Sequence, residues 1–224
     1  DRVIWATSMV ACGDADGAVT GNTRRFGASF DKIKQVVNVR DGEIMFGLNM
    51  VVHKGKTIFV GDTSVHEYPT SEQMAEIAIS TARVVRLFGF DPKVAFVSHS
   101  TFGQPLTSRT KHIRNAVEIL KEKNVNFEFD GDMQPDVALN SEYEDLYPFA
   151  KIVGKANILI MPGQHSAAIS YKLMKAFGDT KVIGPLLIGL SLPIEIAPLR
   201  SSTSEILNLA SIAAYSAEVI DYKK

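Results

Sequence analysis

The stretch that decides the fold is residues 182–208, VIGPLLIGLSLPIEIAPLRSSTSEILN. Its first part is apolar enough to suggest a membrane span, but Pro193 and the charged Glu195 interrupt the run. Two buried strands joined by a turn fit this composition better, and such strands belong to the core of an α/β domain. We therefore expect a soluble protein with no membrane partner.

A helix start follows the second of these strands. Ser202 and Glu205 have the Ser-x-x-Glu spacing of a capping box, which predicts a helix from about Thr203 to Val219. The free N–H groups at such a start attract anions. Arg200, the only cation in the loop before this helix, is a candidate for binding a phosphate there.

The rest of the chain alternates strand-like and helix-like segments, which predicts an α/β fold with a mostly parallel sheet. The helix from Ser71 to Phe88 has the clearest pattern, because Thr70 and Gln73 form a capping box and apolar residues recur along one face. Two apolar runs around residues 53–56 predict a hairpin, and so an antiparallel edge. The other predicted strands are residues 18–20, 94–97, 127–129 and 158–161, and the other predicted helices are residues 30–37, 108–123 and 166–177.

Composition excludes several classes of protein. The 224 residues are 46% hydrophobic, which is enough for a substantial core. The formal net charge of -1 leaves no basic excess for nucleic-acid binding. The single cysteine, Cys12, cannot form an intrachain disulfide and fits a reducing, cytoplasmic location.

Ligands of open α/β sheets bind beyond the carboxyl ends of the strands. The residues that follow the predicted strands are rich in hydroxyl groups and glycine, which suits hydrogen bonding to phosphate groups. The candidate ligand-binding residues at these positions are Ser98, Ser100, Thr101, Asp132, Gly163, Ser166, Gly184 and Pro185.

Three other sequence features are weaker candidates for a metal site, a nucleotide-binding loop and a catalytic base. Asp14 and Asp16 have carboxylates that suit a metal, but an Asp-x-Asp before a strand more often caps local N–H groups. Residues 55–57, Gly-Lys-Thr, lack the first glycine of a phosphate-binding loop. His99 lies between two serines, but no orienting acid is evident nearby in the sequence.

Several blocks of the chain resemble the phosphate acetyl/butyryl-transferase family, in the order of that family and over nearly the whole chain. They include GDADGAVTG at residues 13–21, DGDMQ at residues 130–134 and IGPLLIG at residues 183–189. The resemblance implies a three-layer α/β/α sandwich of the phosphate acetyltransferase, isocitrate-dehydrogenase-like type. It also implies a domain that starts upstream of Asp1, with residues 1–69 in a first lobe and residues 70–224 forming a second lobe plus a return helix.

One branch of the family is most similar. Residues 98–103, SHSTFG, resemble the Ser-His-Ser-Asn-Phe-Gly loop of the C-terminal domain of hybrid NADP-dependent malic enzymes. That branch implies an upstream malic enzyme domain that decarboxylates malate to pyruvate with NADP and Mg or Mn. It implies no cofactor in this part of the chain. The ligand would be acetyl-CoA or a related acyl-CoA, and the assembly a homodimer or higher homo-oligomer.

The resemblance also indicates that the transferase chemistry is lost. Active members carry a Ser-Arg-Gly triplet that handles the acyl phosphate, and a gapless alignment places Pro198, Leu199 and Arg200 there. Proline and leucine side chains cannot donate a hydrogen bond to a phosphoryl oxygen. We therefore interpret the chain as an acetyl-CoA-binding regulatory and oligomerisation domain without a catalytic residue of its own.

Two alternatives remain open from the sequence. A working phosphate acyltransferase is the first, because the same alignment places Glu205 at the family's catalytic base, and a shift of one residue would restore the arginine. Glu205 is also the capping-box residue of the last helix. The second alternative is a dimerisation scaffold that binds no ligand.

Overall fold

The computed structural model describes residues 1–220, with helices and parallel strands in alternation. The helices, in chain order, are α1 Arg2–Ala11, α2 Phe26–Ile33, α3 Ser71–Leu87, α4 Ser108–Glu122, α5 Pro135–Leu139, α6 Gln164–Ala176 and α7 Thr203–Val219. The strands are β1 Ala18–Gly21, β2 Phe46–His53, β3 Lys56–Gly61, β4 Lys93–Val97, β5 Glu128–Met133, β6 Ile158–Ile160, β7 Thr180–Ile188 and β8 Ile194–Ala197.

The chain forms two compact units. One consists of Asp1–Gly47 together with the segment from Ile183 onward, and the other of Leu48–Val182. This division differs from the boundary expected near residue 69. The reason is that the hairpin of β2 and β3 joins the sheet of the second unit, where β3 pairs with β6.

The sheet built on the second unit has the strand order β5-β4-β6-β3-β2-β7. Neighbouring strands from β5 to β3 run parallel, and β2 and β3 form the predicted antiparallel hairpin. The hairpin is not the edge that the sequence predicted, because β7 lies beyond β2. Within the unit, His53 Nδ1 and Thr180 Oγ1 are 2.9 Å apart where these two strands meet.

Helices cover both faces of this sheet, which makes the unit a three-layer α/β/α sandwich. On one face Phe59 of β3 stacks on Phe88 at the end of α3, with 6.1 Å between ring centroids. On the other face Val60 and Leu159 belong to a buried cluster with Ala167 of α6. Alternation of side chains along each strand supplies the two apolar layers. The predicted fold class is therefore confirmed.

Helix α3 forms as its sequence predicts. The Thr70 hydroxyl accepts the Gln73 N–H at 3.2 Å, and the Gln73 side chain accepts the Thr70 N–H at 2.8 Å, which completes the capping box. One face of the helix is buried against the sheet. Its buried residues include Met74, Ile77, Ala78, Thr81, Val84 and Val85.

The first unit is built on β1 and β8, which pair in parallel from Ala18↔Ile194 to Gly21↔Ala197. Helices α1 and α7 both contact β1. Gly21 is required at the end of this pair, because its φ is +96° and an added Cβ would lie 2.4 Å from the Ala197 carbonyl oxygen. The close approach aligns the carboxyl ends of the two strands.

Other features of the fold also differ from the sequence predictions. Helix α1 was not predicted, although Asp1 caps its start and Val3, Thr7 and Val10 form its buried face. Helix α2 spans residues 26–33, not 30–37, and has no side-chain cap to mark its start. Strand β5 continues to Met133, so Asp132 lies within the strand. Gly184 and Pro185 likewise lie inside β7, because the apolar run continues to Ile188.

Candidate functional site

A cleft opens in the unit Leu48–Val182 beyond the carboxyl ends of β4 and β6. It consists of two adjoining cavities of about 640 and 340 Å³. Both are lined by Arg109, Ile113, Pro162 and Ser166. The position agrees with the expectation that ligands bind where parallel strands end.

Three helices begin at this cleft. Thr70 caps α3, Arg109 is in the first turn of α4, and Gly163 precedes α6; all three line the larger cavity. Gly163 supplies no side-chain oxygen to cap α6. The first N–H groups of a helix favour an anion, and the start of α6, which has no side-chain cap, leaves these groups available.

Arg109 gives the cleft a cation. Its side chain is exposed, and its guanidinium carbon lies 6.0 Å from the centre of the Tyr68 ring. Among residues 1–220 no carboxylate forms an ion pair with it, whereas His165 pairs with Glu67 at 3.1 Å. A guanidinium held on a helix start can bind a phosphate group through two hydrogen bonds.

His112, deeper in the same cleft, is fixed by the protein. Its Nε2 lies 2.8 Å from the Pro69 carbonyl oxygen, and its Nδ1 lies 3.0 Å from the Ser71 hydroxyl. The Ser71 hydroxyl also donates to the His112 carbonyl oxygen at 2.8 Å. These contacts tie the start of α3 to α4 and form the wall between them.

The predicted residues Ser98, Ser100, Thr101 and Asp132 do come together. The buried Asp132 carboxylate accepts the Ser100 hydroxyl and, at 3.0 Å, the Gly103 N–H. The hydroxyl oxygens of Ser98 and Ser100 are 3.1 Å apart. Of these residues only Ser98 lines the cleft. Ser100, Thr101 and Asp132 therefore shape the loop, and a ligand would reach Ser98.

Gly163 and Ser166 also lie where the sequence predicted. An added Cβ at Gly163 would lie 2.3 Å from the Glu67 carbonyl oxygen, so the loop at Glu67 can approach only a glycine. The Ser166 hydroxyl donates to the Gly163 carbonyl oxygen at 2.8 Å. Sequence reasoning missed Arg109, although its place one residue after the start of a capped helix was a usable signal.

The other predicted residues, Gly184, Pro185 and Arg200, belong to the first unit. Arg200 is exposed and has a φ of +61°, and its N–H donates to the Asn22 carbonyl oxygen at 3.0 Å. Arg200 lies in a turn of residues 198–201, which is closed by the Ser201 hydroxyl donating to the Pro198 carbonyl oxygen at 2.8 Å. The side chains of Pro198 and Leu199, in the same turn, have no hydrogen-bond donor.

Glu205 acts as a helix cap in this structure. Its carboxylate accepts the Ser202 N–H at 2.7 Å and the Ser202 hydroxyl at 2.9 Å. This is the capping box predicted from the sequence, and it holds the carboxylate at the start of α7. To act as a catalytic base and accept a thiol proton, the Glu205 carboxylate would have to break at least one of these hydrogen bonds.

Glu195, on β8, is an acid whose pKa is strongly perturbed by its surroundings. Its side chain is buried, and it accepts the Leu187 N–H at 2.9 Å. Burial raises the pKa of Glu195 to about 8, and the single hydrogen bond from Leu187 offsets only part of that effect. The carboxyl group is therefore mostly protonated at neutral pH.

The described residues do not fit a divalent metal, because no group of three or more His, Cys, Asp or Glu side chains among residues 1–220 could hold one. Asp14 and Asp16, the weak candidates from the sequence, are exposed. No helix within residues 1–220 has the length and apolar character needed to cross a membrane.

Fold and cleft together define a three-layer α/β/α protein with a candidate ligand cleft at the carboxyl ends of parallel strands. The chain belongs to the family described as phosphate acetyl/butaryl transferase, whose model matches residues 1–214. Among solved structures, it is similar to a phosphotransacetylase from Streptococcus pyogenes, with a TM-score of 0.91, 29% identity, and coverage of 97% of this chain and 68% of that one.

Similar proteins in sequence fall into two groups. The NADP-dependent malic enzyme of Rhizobium meliloti is 44% identical over 97% of this chain, and the chain spans 28% of that enzyme's length. The phosphate acetyltransferase of Clostridium acetobutylicum is 32% identical over 97% of this chain, and the chain spans 68% of its length. The recognition of this family from sequence blocks is therefore confirmed.

Proposed function

We propose that this domain binds acetyl-CoA and regulates an NADP-dependent malic enzyme of which it forms part, without transferring acyl groups itself. The observation that carries the proposal is a contrast within the chain. The cleft keeps a cation and three helix starts that suit phosphate groups. The positions that would handle an acyl phosphate hold Pro198 and Leu199.

The malic enzyme context is supported by the extent of the similarity. The chain matches 28% to 30% of the length of the malic enzymes of Rhizobium meliloti and Rickettsia prowazekii. A domain of this size beside an oxidoreductase can act as its sensor. In the proposed protein, NADP and Mg or Mn would bind outside this chain.

Within the cleft, Arg109 would bind phosphate oxygens of acetyl-CoA, together with N–H groups at the start of α6. Ser98 and Ser166 would donate or accept further hydrogen bonds at the cleft wall. Arg200, exposed on the first unit, remains a proposed phosphate ligand. Regulation would require acetyl-CoA to bind the low-activity and high-activity states with different affinities.

We expect Arg109→Ala to weaken the effect of acetyl-CoA on malate-dependent NADP reduction by the natural polypeptide. The loss of a charge-assisted hydrogen bond costs about 1–3 kcal/mol, so the concentration for half-maximal effect should rise by roughly tenfold or more. Malate turnover without acetyl-CoA should stay the same. Steady-state kinetics at several acetyl-CoA concentrations measure both quantities.

Lys111→Ala is the matched control, because Lys111 is an exposed cation of the same helix that does not line the cleft. An equal shift in both variants would indicate a nonspecific charge effect and would remove Arg109 from the site. Arg200→Ala, measured in the same assay, tests the second proposed phosphate ligand.

A working phosphate acyltransferase is the second candidate function. The similarity to phosphate acetyltransferases and the presence of Glu205 favour it. In such an enzyme a carboxylate takes the proton of the CoA thiol, and the thiolate attacks the acyl phosphate. The capping role of Glu205 and the residues at positions 198 and 199 favour the regulatory function instead.

We also expect the domain to self-associate. Ile169, Leu173 and Phe177 recur every four residues along α6 and its end, with exposed fractions of 64%, 55% and 83%. A contiguous apolar stripe of this kind marks an interface, and a second copy offers a matching stripe. The sequence also suggests Val219 and Ile220, at the end of α7, as apolar positions for self-association, and Val219 is 42% exposed.

Light scattering at micromolar concentration should give the mass of a dimer or larger assembly. Leu173→Glu should reduce this mass, because it places a charge within the stripe. Lys175→Glu, about 160° away around the helix from the middle of the stripe, should not. A monomeric mass for the unaltered protein would contradict the expectation.

A further inference from the structure

His112, on α4, lines the larger cavity of the cleft and has a hydrogen-bond partner at each ring nitrogen. One partner is the Pro69 carbonyl oxygen at Nε2, and the other is the Ser71 hydroxyl at Nδ1. The Ser71 hydroxyl also contacts the His112 carbonyl oxygen. Ser71 is buried, so its hydroxyl depends on these protein contacts. Together they determine where the hydrogen atoms of the ring lie.

The hydrogen atoms of this network can be counted. A carbonyl oxygen only accepts, so Nε2, 2.8 Å from the Pro69 carbonyl oxygen, must carry a hydrogen. The one hydrogen of the Ser71 hydroxyl is donated to the His112 carbonyl oxygen at 2.8 Å. The Ser71 oxygen can then only accept from Nδ1, 3.0 Å away, so Nδ1 must carry a hydrogen as well. An imidazole ring with hydrogens on both nitrogens is positively charged.

The charges around His112 are mixed. Glu72, an exposed carboxylate in the first turn of α3, interacts with it. Hydrogen bonds from the Glu72 N–H and the Thr70 hydroxyl lower the pKa of the Glu72 carboxyl, and the charge of His112 lowers it further. Arg109 lies one turn earlier on α4, so two positive charges face the same cavity. The other ionisable side chains that line this cavity are Glu67, Tyr68 and His165.

We infer that His112 is held as an imidazolium and supplies the cleft with a positive charge beside that of Arg109, which favours a phosphate-bearing ligand. This role rests on the proposed function, because it takes acetyl-CoA as the ligand of the cleft. Both N–H groups of the ring are bonded to the protein, so His112 attracts the ligand through its charge alone. Acetyl-CoA should therefore bind more weakly as rising pH removes the proton.

Nitrogen NMR of the whole chain, isotopically labelled at histidine, measures the charge of the ring without a ligand. Both nitrogens of His112 should be protonated at about pH 7, and His112→Gln identifies its signals. Ser71→Ala removes the acceptor at Nδ1, so the ring should lose its proton at a lower pH. If Ser71 instead donated to Nδ1, the same variant would favour protonation. That result, or a single protonated nitrogen at about pH 7, would overturn the inference.

Calorimetric titration with acetyl-CoA at about pH 6.5 and 8 measures the effect of this charge on binding. His112→Gln should raise the dissociation constant by roughly three- to tenfold at the lower pH. His112→Lys, which stays charged at both pH values, should preserve the affinity and bind with less dependence on pH. His165→Gln is the matched control, because it removes the other histidine that lines this cavity and should leave the effect of His112 in place.

Circular dichroism checks that each variant is folded. Equal affinities of His112→Gln and the unaltered protein at both pH values would remove His112 from the ligand site while keeping the proposed function. A flat titration of the unaltered protein would reject the proposed function together with the ligand role of His112. The NMR measurement still decides the charge of the ring in that case.

Discussion

The domain should show no phosphate acetyltransferase activity above background when it is supplied with acetyl phosphate and CoA. Loss of one group that stabilises developing charge costs about 10²–10³ in rate. In the gapless alignment with the family, two such groups are replaced, by Pro198 and by Leu199, whose apolar side chain is 54% exposed. Formation of the thioester, followed by its ultraviolet absorbance, measures the rate.

Turnover on the order of 10 per second, typical of an ordinary enzyme, would contradict this expectation and favour the acyltransferase. In that case Glu205→Gln should abolish the activity if Glu205 is the base. Ser202→Ala is the control for its capping role, because it removes the partner hydroxyl in the capping box but leaves the Glu205 carboxylate in place.

Glu195→Gln should make the stability of the protein much less sensitive to a rise in pH from about 5 to 8. Because the folded-state pKa of Glu195 is about 8 and its ordinary value is 4.5, the folded protein retains a proton that the unfolded chain loses. The free energy of unfolding therefore falls as pH rises between these values, by about 1.4 kcal/mol per pH unit. Glutamine has no proton to lose, so this contribution disappears.

Urea unfolding at about pH 5, 6.5 and 8 measures this effect. From pH 5 to pH 8 the free energy of unfolding of the unaltered protein should fall by on the order of 3–4 kcal/mol more than that of Glu195→Gln. The test is the difference between the two proteins in the slope of unfolding free energy against pH. The glutamine amide can also change the stability of the variant, but by the same amount at every pH. Glu218→Gln, on the exposed part of α7, is a control. Parallel curves for Glu195→Gln and the unaltered protein would show that Glu195 is ionised in the folded state.

Elements with local signals could be predicted from the sequence. The capping boxes that start α3 and α7 use residues only three positions apart, and both formed as predicted. Helix α1 also has a local signal, since the Asp1 side chain accepts the Val3 N–H at 2.8 Å, but a lone Asp is a weaker indicator than a capping box. Strand β5 includes Asp132, whose carboxylate accepts hydrogen bonds from the distant Ser100 and Gly103, and this tertiary contact was not evident from the strand pattern.

The candidate site was predictable only in part, for a related reason. Ser98, Gly163 and Ser166 follow strands, so the rule that ligands bind at strand ends found them. Arg109 and Arg24 belong to segments that look like ordinary charged surface in sequence. Only the fold, which brings the starts of α3, α4 and α6 to one cavity and pairs β1 with β8, shows that these two arginines line cavities.

Calorimetric titration of the folded, assembled protein with acetyl-CoA tests the central claim most directly. The proposed function predicts saturable heat with a dissociation constant of about 1 mM or lower, equivalent to roughly -4 kcal/mol or better. Dephosphorylated pantetheine, which lacks the nucleotide and its phosphates, should bind more weakly. A flat titration with acetyl-CoA would contradict the proposal and leave a scaffold that binds no acyl-CoA.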